Sequence, residues 1–162
     1  MPQQLSPKRA AESATEMVQV VLPNDANPLG FILGGTVMHL IDIAGAIACH
    51  RHTRTLLVTA AVDDLQFLHS IKVGDLIILQ SHVTCTFTTS LEVQVDVHSE
   101  ETLTGRRLRT SRAFLTFVAI SRDGSRIPVV PLLVETDQER QVCEQAQARR
   151  AERLRKKLVT ES

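Results

Sequence analysis

One acid, Asp42, stands inside GGTVMHLIDIAGAIACHRH (34–52), a run dominated by aliphatic and small residues. An ionised carboxylate is costly in apolar surroundings unless something compensates it. Placed in a cleft, such an acid can act as a general base or attack a carbonyl carbon directly. Gly34 and Gly35 open the run and leave helix-start N–H groups free of side-chain cover. The positive end of the helix dipole falls at the same point, which suits a developing oxyanion. Asn27, in the preceding loop, offers an amide that can hold a water or orient a carbonyl. Each residue also has a plainer reading: Asp42 as a structural acid bonded to backbone or to His52, Asn27 as a turn residue or cap, and the glycine pair as an ordinary helix start.

These residues need elements to position them. EMVQVVL (16–22) alternates as a first strand, and PNDANPLG (23–30) is dense in turn formers. A helix is predicted from about Gly35 to His52, with apolar residues around nearly its whole circumference, so it should be covered on every side. From residue 56 the period drops to two and β-branched residues take over, in 56–68, 75–87, 90–100 and 107–121. In the third of these, Leu91, Val93, Val95 and Val97 alternate with Glu92, Gln94, Asp96 and His98, giving one buried face and one facing water or polar groups. A charged helix follows at 135–158, acids early and bases late, with a thin apolar stripe.

The pattern is that of an α+β domain: an antiparallel sheet of about five strands wrapped around a central apolar helix, plus a C-terminal helix. We divide the chain into a flexible lead-in (1–14), a single domain (15–134) and a charged helix and tail (135–162). One curved sheet of this length cannot cover an apolar helix on all sides, which predicts a homodimer whose helices share a core.

Bulk properties narrow the function. The 162 residues carry a formal net charge of zero, so nothing global attracts nucleic acid or an anionic membrane. Tryptophan and tyrosine are absent, which removes the usual platforms for single-stranded nucleic acid. No apolar run approaches the roughly 18 residues of a membrane span, and the polar N-terminus lacks a secretory signal, so a cytoplasmic location is expected. Cys49, Cys85 and Cys143 are odd in number and widely spaced, which predicts reduced thiols and neither a disulfide nor a zinc site. His50, His52, His69, His82 and His98 show no metal-ligand spacing, and no metal is expected.

The order NPLG (27–30), GG (34–35), an apolar helix with an internal Asp, CHRH (49–52), VTAAVDDLQF (58–67), IKVGD (71–75), TSLEV (89–93) and FVAI (117–120) resembles the acyl-CoA thioesterases of the hotdog fold. Within that family it is most similar to the group of bacterial and cytosolic acyl-CoA hydrolases, over roughly residues 17–133. The resemblance implies hydrolysis of acyl-CoA to fatty acid and CoA. Asp42 would be base or nucleophile, Asn27 would orient water or carbonyl, and the helix start at Gly34 and Gly35 would polarise the thioester. It implies no cofactor, since coenzyme A is part of the substrate, and a trimer of dimers as the assembly. CoA-binding residues carried over are Thr89 and Ser90. The family often has Gly-Arg-Thr-Ser where this chain has Phe87, Thr88, Thr89 and Ser90, so a basic contact is missing there.

Arginine forks suit phosphate, and Arg51 and Arg54 beyond the helix, or one of Arg106, Arg107, Arg109 and Arg112, are the candidates to meet it. Two other readings stand beside hydrolysis. A hotdog enoyl-CoA hydratase would need a histidine where DANPLG (25–30) has Gly30, and a non-catalytic acyl-CoA sensor would not need both Asn27 and Asp42.

Overall fold

The computed structural model describes residues 5–161. Five strands form one antiparallel sheet: β1 (Thr15–Val20), β2 (Leu56–Phe67), β3 (Leu76–Thr86), β4 (Ser90–Glu100) and β5 (Arg107–Ile120). Their spatial order is β1-β3-β4-β5-β2, so β1 and β2 are the edges. Helix α1 (Gly34–Thr53) follows β1, and helix α2 (Asp137–Glu161) closes the chain.

The alternation read from β4 is realised on one face. Leu91, Val93, Val95 and Val97 are fully buried, joined from β5 by Ala113, Leu115, Phe117 and Ala119. Against them α1 lays Val37, Leu40, Ile41, Ala44 and Ala48. Gly45 permits the close approach: a Cβ there would sit 3.1 Å from a Val93 methyl and 3.4 Å from the Phe117 ring. Ser81 fixes the crossing by donating a hydrogen bond to the Ala44 carbonyl at 2.8 Å.

Within the protomer α1 is covered on one face only. Met38 and His39 are exposed, and Asp42, Ile43, Ala46 and Ile47 are half-buried. The expected all-round cover is therefore not supplied by this chain's own sheet, which curves around one side of the helix.

The opposite face of the sheet departs further from expectation. Glu92, placed by alternation on the polar side, is 1 % exposed because α2 lies over it. Arg149 of α2 grips it with two bonds, Nη2 to Oε1 at 2.8 Å and Nε to Oε2 at 3.0 Å, and Thr84 donates to Oε1 at 2.6 Å. The Arg149 guanidinium also stacks 3.6 Å from the Phe114 ring centre. Beside this cluster Cys85 of β3 and Cys143 of α2 form a disulfide, with Cα atoms 4.8 Å apart. That corrects the expectation of reduced thiols. A separation of 58 positions in sequence conceals a contact that arises only because α2 crosses β3. Cys49 is free and buried, and burial pushes its thiol pKa well up.

The expected flexible lead-in is also partly fixed. Residues 1–4 lie outside the described part, but Lys8 exchanges backbone hydrogen bonds with Pro131 and Leu133, and Ser13 is fully buried.

Candidate active site

Asp42 projects from the open side of α1, where Thr59 of β2 donates a hydrogen bond to its Oδ1 at 2.7 Å. Thr59 is the residue that sequence reading missed. A threonine on a strand is ordinary, and the only signal was the alternation that puts Thr59 on the same face as Leu57. Just beyond it the register with β5 shifts and Ala60 has no partner, so β2 bulges at this point. The carboxylate is not tied to His52, whose Nε2 lies 2.8 Å from the Val130 carbonyl. Burial holds the His52 imidazole below its ordinary pKa.

Gly34 and Gly35 are the first two residues of α1, and no side chain caps them. A Cβ on Gly35 would meet nothing within 4 Å, while one on Gly34 would touch the Phe67 ring at 3.6 Å. The helix-start amides thus remain open to a ligand. A cavity of about 230 Å³ lies beside them, lined among others by Gly34, Val37, Phe67 and Ser111.

Asn27 is held by its own loop. Its Oδ1 accepts from the backbone N–H of Leu29 at 3.0 Å and of Phe31 at 3.2 Å. Gly30, at φ +85°, supplies the left-handed residue this tight turn needs. The Leu33 N–H, one residue before α1, bonds to the Asp25 carbonyl at 2.9 Å, which couples the loop to the helix start. With Oδ1 occupied, the Nδ2 amide is the group left to donate. Asp42 sits seven residues into the helix from Gly35, roughly 10 Å along the axis at 1.5 Å per residue.

Among the CoA candidates, Thr89 and Ser90 line a cavity of about 340 Å³ on the outer face of the sheet, with Arg126, Arg150 and Arg153. Arg51 and Arg54 do not line it. Arg51 donates to Thr15 Oγ1 at 3.1 Å, and Arg54 is the left-handed C-cap of α1. Arg107 and Arg112 pair with Glu100 and Asp96 across the β4–β5 ladder, and Arg106 and Arg109 are exposed at its end. No group of three or more His, Cys, Asp or Glu among the described residues could hold a metal ion, and no helix there is long and apolar enough to cross a membrane.

Residues 29–106 match the family model of the thioesterase superfamily. An acyl-CoA thioester hydrolase of Bacillus subtilis is 37 % identical over 146 residues, covering 90 % of this chain and 85 % of that protein. The human cytosolic acyl coenzyme A thioester hydrolase is 32 % identical over 145 residues, 88 % of this chain, but the match spans only 38 % of the human protein's length. Among solved structures, an apo-hexameric acyl-CoA thioesterase superposes with a TM-score of 0.87 at 38 % identity, covering 93 % of this chain and 97 % of that one. An acyl-CoA hydrolase from Staphylococcus aureus, solved with butyryl coenzyme A and coenzyme A, gives 0.83 at 30 % identity, covering 95 % and 96 %. That hydrolase has also been solved as single alanine variants of an aspartate, an asparagine and a threonine.

Proposed function

The chain belongs to the thioesterase superfamily, among its hotdog-fold acyl-CoA hydrolases, and from that membership we propose that it hydrolyses acyl-CoA thioesters to free fatty acid and CoA. The observation that carries the reading is the Asp42 carboxylate, hydrogen-bonded to Thr59 on the open side of a helix whose N-terminus is uncapped glycine. In the Staphylococcus hydrolase the replaced asparagine, aspartate and threonine are each numbered one higher than Asn27, Asp42 and Thr59 are here, which supports giving all three a part in the reaction.

The Thr59 hydroxyl occupies one carboxylate oxygen and fixes the side chain, leaving the other free to take a proton from water or to attack the thioester carbon. Water adds to that carbon, the carbon–sulfur bond breaks, and the departing CoA thiolate takes up the proton. The helix-start amides at Gly34 and Gly35 and the Asn27 Nδ2 donate to the carbonyl oxygen as it gains charge. With its Oδ1 held by the loop, Asn27 acts as an orienting donor to the carbonyl rather than as an acceptor for water.

One thioester carbon cannot lie within about 3 Å of both the glycine turn and an acid two turns deeper in the same helix. The site is therefore composite, with Asn27 and the glycine turn of one protomer facing Asp42 of its two-fold mate. The half-bare face of α1 and the exposed Leu56, Val58 and Val62 on edge strand β2 support a dimer, and the hexameric thioesterase supports a trimer of dimers. The name of the human relative favours a cytoplasmic location.

Thiol release from a panel of acyl-CoAs, acetyl to palmitoyl, tests the activity; a hydratase or a sensor releases no CoA. Subunit exchange tests the composite site. Mixed Asn27→Ala and Asp42→Ala dimers hold one doubly damaged and one intact site, so random exchange restores about a quarter of wild-type activity. Confirmed exchange without recovery places both residues in one chain's site.

A further inference from the structure

Strand alternation alone would not bring Cys85 to helix α2. Val83 belongs to the core that packs on α1, and Cys85, two residues on, would face the same way in a regular strand. Between them the register with β4 shifts: Val83 lies opposite Val93, Cys85 lies opposite Glu92, and Thr84 has no partner. This one-residue bulge turns Cys85 to the side of Glu92, the side that α2 covers, and there it is bonded to Cys143. Little else holds the helix. Of its described residues only Ala146 is fully buried, and its other anchors are the Arg149–Glu92 and Arg153–Asp63 pairs.

The disulfide ties together the two elements between which the cavity at Thr89 and Ser90 opens. On one side, Phe87 follows Cys85 by two residues and lies under the Arg150 guanidinium at 4.8 Å. On the other, Arg150 stands about two turns beyond Cys143 on α2 and lines the cavity with Arg153 and Leu154. A change at the sulfurs is therefore felt at the wall of that cavity. In the cytoplasmic location proposed above the bond is open to reduction, and disulfides of that compartment are characteristically transient and redox-sensing.

We propose that the Cys85–Cys143 bond is a redox-sensitive clamp: its reduction frees α2, withdraws one wall of the cavity and lowers the affinity for acyl-CoA. The proposal rests on the hydrolase reading above, with Thr89 and Ser90 as coenzyme A contacts, and adds a control to it. A thiolate of a dithiol reductant attacks the sulfur of half-buried Cys143 rather than that of Cys85, which is 1 % exposed. Cys85 leaves as a thiolate and takes up a proton. The second thiol of the reductant then displaces Cys143, so that two electrons pass to the protein and the reductant ends as a cyclic disulfide. A low-molecular-weight disulfide reverses the exchange and leaves as two thiols.

The test compares the oxidised wild type, the same protein reduced with dithiothreitol, and Cys143→Ser. Alkylation after denaturation should label Cys49 alone in the oxidised protein and all three cysteines after reduction in the folded state. Hydrogen exchange should show α2 losing protection while α1 keeps it. If the docked fraction of α2 falls to about one in ten, the apparent affinity for free CoA by calorimetry and the KM for butyryl-CoA each weaken about tenfold. Turnover of butyryl-pantetheine, which lacks the nucleotide, should not change. Hydrolysis is followed by chromatography of the remaining thioester, since added reductant masks thiol release. Cys143→Ser should behave as the reduced protein and ignore dithiothreitol, and oxidised glutathione should restore the wild type. Cysteines that resist dithiothreitol in the folded protein, unchanged exchange in α2, or unchanged CoA affinity on reduction each overturn the proposal. Reduction that unfolds the whole chain overturns it too, by making the bond a structural staple. Wild type that cleaves neither ester defeats the hydrolase reading alone, because alkylation, exchange and calorimetry still read the clamp.

Discussion

The two helices are attached to the same sheet by opposite means. Helix α1 is held by area: Val37, Leu40, Ile41, Ala44 and Ala48 bury aliphatic surface against β4 and β5, an attraction that is non-directional and spread over many contacts. Helix α2 buries only Ala146 completely and is held by particular bonds: the Cys85–Cys143 link, the Arg149–Glu92 fork and the Arg153–Asp63 pair. A helix held by area tolerates loss of a polar group on its open side, which frees that side for a carboxylate. A helix held by pairs depends on each partner in turn.

The largest effect should come from breaking α2. Arg149→Ala leaves Glu92 buried without its counter-charge, and unfolding free energy should fall by about 3–5 kcal/mol, measured by denaturant titration. Replacing Glu92 and Arg149 together by apolar residues should restore much of it, since the destabilisation arises from the orphaned charge. A single variant as stable as wild type would show that the fork contributes little.

On α1 the complementary result is expected. Asp42→Ala should keep the melting temperature within a few degrees, because the side chain is half-buried and its one hydrogen bond is to a surface hydroxyl. Thiol release should fall by about two to three orders of magnitude, the scale of a lost general base or nucleophile. An unfolded variant with normal activity per folded molecule would make Asp42 structural.

The glycines of α1 sharpen the contrast between its two sides. Gly45→Ala must push Val93 aside and should cost about 1–3 kcal/mol of stability. Gly35→Val enters open space and should leave stability nearly unchanged while depressing turnover more than CoA affinity.

The smallest effect is in pH. Burial is the largest cause holding His52, His82 and His98 below the ordinary histidine pKa of 6.5. The unfolded chain then binds more protons than the folded one below that value, so these groups lower stability as pH falls from about 6.5 through their folded pKa values. Asp63, raised mainly by burial, acts in the opposite sense, stabilising as pH falls through its folded value towards 3.8. Melting temperatures measured between pH 7.5 and 5 should therefore decline, and His52→Gln should flatten the decline.

The same contrast governs what could be read in advance. All five strands and both helices lie within three residues of their expected ends, because periodicity in β4 or the apolar run of α1 is a local property of the chain. Asn27, Gly34, Gly35 and Asp42 stood out because their residue types are unusual for their immediate surroundings. Thr59 and the Cys85–Cys143 pair did not, because each matters only through a neighbour distant in sequence. Glu92 shows the limit most sharply. Alternation assigned its face correctly, but not that a helix more than 40 residues later would cover it.

The Cys85–Cys143 bond also changes what a cut in the chain would mean. It turns the end of β3, β4, β5 and the first part of α2 into a closed ring that includes the exposed turn after β4, where Leu103 is 98 % exposed. A protease nicking at Arg106 or Arg107 opens that ring without releasing either piece. One fragment carries α1 with Asn27 and Asp42, the other carries β5 and α2, and they stay tethered until the sulfurs are reduced. The part of the chain that carries Asp42 and the part that carries α2 are thus joined by a second covalent route independent of the backbone.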